Sequence, residues 1–137
     1  MNKQLLIVSL LVFILDQSAA TCVGCLSLDP LTFNKVVTKF ESVLVKFDVA
    51  FAYGQDHEAF SAFAAEIQNS TLTPFSTKEL IIASVGIKDY GDKENADLGK
   101  RYGITGDVFP VIKLFNGGSL KNPVDFKECK FADKICD

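Results

Sequence analysis

An α/β fold, with a mixed sheet of four to five strands and helices on both faces, follows from three features of this 137-residue chain. Val43, Val45, Phe47 and Val49 alternate with Leu44, Lys46 and Asp48 at the period of two that a pleated strand imposes. Phe33, Val36, Val37 and Phe40, and again Phe60, Phe63, Ala64 and Ile67, fall at i, i+3, i+4 and i+7, the stripe of a core-facing helix. The run Leu80–Ile87 is nearly all apolar and rich in β-branched residues, as a strand covered on both faces should be.

The N-terminus indicates a compartment before any fold is considered. Lys3 precedes an apolar run, Leu5–Leu15, and Ser18-Ala19-Ala20 supplies the small residues of a cleavage site. The run is shorter than the ~20 residues a bilayer span requires. Residues 1–20 therefore read as a secretory signal, and residues 21–137 as one domain with a single core. The net charge of −3 is unchanged by that cleavage, which removes Lys3 and Asp16 together. So mild an acidic balance argues against nucleic acid and anionic membrane surfaces as partners.

Taken in order, the mature chain opens with Cys22-Val23-Gly24-Cys25 and a short strand at Leu26-Ser27-Leu28. Asp29-Pro30 is a helix start, the aspartate able to cap and the proline needing no donor, and the helix runs to about Phe40. The central strand, Val43–Val49, turns out through Phe51, Tyr53 and Gly54 into a helix spanning Asp56–Asn69, with Asp56 and Glu58 suited to its first turn. A polar loop to Lys78 contains the N-glycosylation sequon Asn69-Ser70-Thr71. After the strand Leu80–Ile87, a helix from about Lys93 to Tyr102 stops at Gly103. Phe109-Pro110 opens a strand to Phe115, and Asn116-Gly117-Gly118 signals a hairpin returning through Leu120–Phe126. Residues after Phe126 are too few and too charged for the amphipathic helix that would cover the last strands, so that helix reads as truncated.

The end of the central strand, feeding a helix N-terminus, is where an α/β sheet places its chemistry or its ligand. Val43-Leu44-Val45-Lys46-Phe47, Tyr102-Gly103-Ile104 and Phe109-Pro110-Val111-Ile112-Lys113-Leu114-Phe115 resemble the thioredoxin fold over most of the mature chain. Leu28-Asp29, Val43, Lys46-Phe47-Asp48, Tyr53-Gly54 and Val85–Gly91 sharpen this to a resemblance to the N-terminal domain of the Windbeutel family, which includes the vertebrate endoplasmic reticulum resident protein of twenty-nine kilodaltons. The resemblance implies a cis-proline at Pro110, a homodimer interface at Asp29, and polypeptide binding at Asp48, Phe51, Tyr53 and Tyr90. Phe51 replaces a tyrosine of the nearest family members, keeping the ring and losing the hydroxyl.

Working thioredoxins carry their Cys-x-x-Cys at the helix N-terminus after the central strand, where dipole and backbone N–H groups lower the thiol pKa. Here that position reads Ala52-Tyr53-Gly54-Gln55, and Lys46 stands where their buried aspartate would be. These absences argue against redox chemistry at the turn, and the resemblance implies a chaperone or escort of the endoplasmic reticulum lumen, with secretory proteins as clients, no cofactor and no metal. The alternative is a thiol–disulfide oxidoreductase acting through Cys22 and Cys25. That pair also reads as a local disulfide or a metal half-site, while Cys129 and Cys136 would be about 10 Å apart on a helix, so that pairing them needs an extended tail, a bond to Cys22 or Cys25, or another chain. His57, the single histidine, reads as an exposed helical residue. The resemblance implies a helical C-terminal domain and a lumenal retention signal in family members, and the sequence to Asp137 reads without either, as a fragment or splice form would.

Overall fold

The computed structural model describes residues 22–69, 80–88, 95–104 and 108–126. The elements are β1 (Leu26–Ser27), α1 (Phe33–Lys39), β2 (Ser42–Val49), α2 (Gln55–Asn69), β3 (Leu80–Lys88), α3 (Ala96–Arg101), β4 (Val111–Asn116) and β5 (Val124–Asp125). The strands form one sheet in the order β1-β3-β2-β4-β5. At its centre β2 pairs parallel with β3 and antiparallel with β4, and β1 and β5 extend the sheet parallel to β3 and antiparallel to β4. Residues 1–20, Ser70 and Thr71 of the sequon, Tyr90, Cys129 and Cys136 lie outside the described residues.

Every residue of β2 from Val43 to Asp48 is buried. Val43, Val45 and Phe47 meet Phe33 and Val37 of α1, Leu98 of α3 and Phe115 of β4 on one face. Leu44 meets Phe60, Ala64 and Ile67 of α2, together with Ile82 and Ile112, on the other. Burial of each such aliphatic or aromatic side chain contributes about 1.5–3 kcal/mol. The alternation in the sequence is thus not one of core against water. Lys46 and Asp48 share parity with Leu44 and lie beneath α2, because a central strand of an α/β sheet is covered on both sides.

Element ends differ from expectation for local reasons. The helix expected from Asp29-Pro30 begins at Phe33, because Asp29 closes a turn first. Its Oδ1 accepts the backbone N–H of Leu31 at 2.9 Å, that of Thr32 at 2.8 Å and the Thr32 hydroxyl at 2.9 Å. Aspartate side chains favour such local turns over continuous helix. The Phe109-Pro110 peptide is cis, as expected, and pairing starts only at Val111. A proline has no N–H to give a ladder. At the end of α3 the expected glycine stop is a two-bond cap: Gly103 (φ 72°) donates to Lys100 O and Ile104 to Gly99 O. The returning strand is only two residues long, held by the ion pair between Lys113 and Asp125 and by the Phe126 N–H on Ile112 O.

Candidate functional site

The chain leaves β2 through an irregularity. Register with β3 shifts between Asp48 and Val49, opposite Gly86. A Cβ on Gly86 would stand 3.0 Å from Ala50 Cα, so the glycine is what lets the departing backbone cross β3 closely. Bulges of this kind re-aim side chains at sheet ends. Beyond it Phe51 is 59% exposed and Tyr53 87% exposed, with Ala52 buried between them. Among the described residues, neither aromatic belongs to a core cluster. Gly54 (φ 95°) then turns the chain into α2.

Asp48 does not join that rim at the surface. It points inward, where Lys46 Nζ lies 3.0 Å from Asp48 Oδ2 and 2.8 Å from His57 Nδ1. The Val49 N–H donates to Asp48 Oδ1 at 2.8 Å, and the ammonium sits 5.3 Å from the Phe60 ring centroid. An ammonium has no lone pair, so Nδ1 of His57 must accept, leaving the ring neutral with its proton on Nε2. Burial, and next the Lys46 charge, hold the His57 pKa below the ordinary 6.5. The expectation of an exposed histidine is corrected: His57 faces the sheet from the first turn of α2 and is buried. This charged trio is what sequence reasoning missed. The signal was there in parity, since a face that starts with Leu44 is not a solvent face.

The trio lines a cavity of about 410 Å³ at the carboxyl ends of the parallel strands, together with Cys22, Cys25, Asp29 and Ala52. Cys22 and Cys25 are joined as a disulfide with their Cα atoms 5.3 Å apart. Of the readings the spacing left open, this is the local disulfide, which leaves no thiolate for a metal. The disulfide packs beside the middle of α2, against the cluster containing Phe60 and Ala64, and not at a helix N-terminus. Asp29 is exposed, and Asn69 is exposed as the last residue of α2. Of the client-binding set, the structure thus places Phe51 and Tyr53 on the surface and Asp48 beneath them in the cavity.

A profile of the family described as ERp29, N-terminal domain, matches residues 20–135. The chain belongs to the ERp29 N-terminal domain family. Protein windbeutel of Drosophila melanogaster is 48% identical over 101 residues, which are 74% of this chain and 37% of that protein. The chain therefore spans about a third of the length of that relative. Among solved structures, human ERp44 (form I) superposes with a TM-score of 0.60 at 19% identity over 82% of this chain and 29% of that one. The first thioredoxin domain of mouse protein disulfide-isomerase A4 superposes with a TM-score of 0.56 at 16% identity, covering 80% and 69%. The fold of this ERp29-type domain is thus thioredoxin-like.

Proposed function

We propose that this domain is a redox-inactive chaperone or escort of the endoplasmic reticulum lumen that binds secretory polypeptides reversibly at the rim after β2. One observation carries the reading. At the turn where a redox-active relative needs a cysteine, this chain presents Phe51 and Tyr53 to solvent and no sulfur. Large amphipathic rings with two rotatable side-chain torsions suit adaptable contacts at low entropic cost. Asp48 acts from below by fixing the strand end from which the turn departs, and Tyr90, outside the described residues, is the remaining client contact of this reading. Asp29, exposed beside the cavity mouth, is the contact of a two-fold homodimer. Asn69, accessible at the end of α2, carries the glycan when the chain is made in a secretory host.

The test is binding of a permanently unfolded probe, reduced and carboxymethylated lactalbumin, by fluorescence anisotropy. Tyr53→Ala should weaken binding by at least tenfold while moving unfolding stability by no more than about 0.5 kcal/mol, as for an exposed side chain. Binding that survives the loss of both Tyr53 and Phe51 would remove the rim from the mechanism.

A further inference from the structure

The turn that carries Phe51 and Tyr53 leaves β2 after Val49 and enters α2 at Gln55. A polar bridge spans its base. On the strand side Lys46 Nζ lies 3.0 Å from Asp48 Oδ2, and on the helix side it donates to His57 Nδ1 at 2.8 Å. Through its other oxygen Asp48 accepts the Val49 N–H, where the register with β3 shifts. Ala52, buried between the two exposed rings, lines the same cavity as Lys46, Asp48 and His57. The placement of the rings is therefore tied to the bridge beneath them.

His57 is the member of the bridge that changes charge near neutral pH. Its Nδ1 accepts from Lys46 only while it carries no proton. Once protonated it becomes a second donor facing an ammonium, and two cations then share Asp48. Burial, and next the Lys46 charge, keep the ring neutral at pH 7, while Asp48 and Glu58 oppose them. Among the described residues, the other charged groups around the ring are Asp56 on its own helix and Asp29 across the cavity. Ser84 and Gly86 of β3, Asn95 before α3 and the Cys22–Cys25 disulfide bring no titrating group to it. A neighbouring, more apolar cavity of about 320 Å³, between Cys25, Ile67 and Leu80, is lined by no charged side chain. Beyond its first turn α2 is packed through Phe60, Ala64 and Ile67 onto Leu44, Ile82 and Ile112. Repulsion at His57 therefore falls on the first turn of the helix and on the exposed residues just before it, where local opening is easiest.

We propose that the Asp48–Lys46–His57 bridge is a clamp that positions the client-binding rim, and that protonation of His57 releases it, so that the domain holds unfolded polypeptide near neutral pH and lets it go in mild acid. This rests on the rim being the client site, and it adds the regulation of that site. Lys46 and His57 are positioning residues, acting through the turn and touching no client. Each release takes up one proton from solvent, at Nδ1 of His57. A client that needs the clamped rim binds in proportion to the clamped fraction, so affinity falls about tenfold for each pH unit below the His57 pKa. By linkage, bound client lowers that pKa in turn.

The experiment follows binding of reduced, carboxymethylated lactalbumin by fluorescence anisotropy from pH 7.5 to 5, well below the melting transition, for the native chain and for His57→Gln. Glutamine offers Lys46 an acceptor and does not titrate. Any titration of the probe is common to both proteins, so the difference between their profiles is what is read. Because His57 is the single histidine, its ring signal in an isotope-labelled chain gives its pKa directly by NMR, with and without unlabelled probe. Native binding should weaken about tenfold over the pH unit below that midpoint, the His57→Gln profile should lack this fall, and saturating probe should move the midpoint down. Profiles of the same shape for both proteins, with the Tyr53 dependence intact at pH 7.5, would overturn the clamp and leave the rim reading standing. A midpoint that the probe does not move would do the same, and it decides the matter in the native chain even where His57→Gln does not fold. Loss of circular dichroism in step with loss of binding would mean unfolding in place of release, and would also sink the clamp. Absence of binding at pH 7.5 would remove the rim reading itself, and the clamp with it.

Discussion

Lys46 shows how one residue sets a neighbourhood. A lysine that is 1% exposed survives in a central strand only because Asp48 neutralises it and His57 accepts its second bond. Lys46→Ala leaves a buried carboxylate alone and should cost about 3–5 kcal/mol, measurable by urea denaturation. The same contacts make stability depend on pH. Because the folded pKa of His57 lies below 6.5, the unfolded chain binds more protons between those two values, so stability is full above about pH 6.5 and declines as pH falls through the folded pKa. Denaturation midpoints from pH 7.5 to 5 should show that decline, and His57→Gln should flatten it. Tyr102 shows the milder case: its hydroxyl donates to Leu120 O at 3.2 Å, and Tyr102→Phe should cost about 0.5–1.5 kcal/mol.

Among the elements, the closures decide how the helices and the hairpin sit. Asp29 was legible as a cap from the pair Asp-Pro, yet the helix begins four residues later, because its carboxylate satisfies a complete turn of its own. The hairpin at Asn116-Gly117-Gly118 was legible too, but not the reason for its second glycine. At φ 65°, a Cβ on Gly118 would stand 2.8 Å from Thr38 O, so the turn lies against the end of α1. Gly118→Ala should cost at least the ~1–2 kcal/mol of a left-handed backbone, read as a lowered melting temperature. Nor was it legible that β5 is held by an ion pair of Asp125 with Lys113, a lysine from a strand face that looks exposed in the sequence.

For the whole molecule, the two faces of the sheet divide the work. Phe33, Phe47, Tyr102 and Phe115 make one aromatic cluster with ring centroids 5.1–6.2 Å apart, tying α1, β2, β4 and the end of α3 together. The charged trio, the cavities and the disulfide turn lie on the opposite face, under and beside α2. Phe33→Ala should therefore cost about 3–5 kcal/mol in unfolding yet leave probe binding unchanged at temperatures well below the melting transition. A parallel loss of binding would mean that the two faces are coupled.

Periodicity and turn chemistry by themselves determined the order of strands and helices, the mixed sheet, and the absence of a thiol after the central strand, because these are written in neighbouring residues. Motif resemblance extended that to the family. The tertiary structure alone decided what the polar residues do. Residues eleven apart in sequence, Lys46 and His57, meet only once α2 folds back over β2, and Gly24 and Ala64 touch only once the N-terminal turn reaches the same helix. A strand pattern records which side a residue faces; whether that side holds water, a helix or a second cluster depends on what the rest of the chain lays over it.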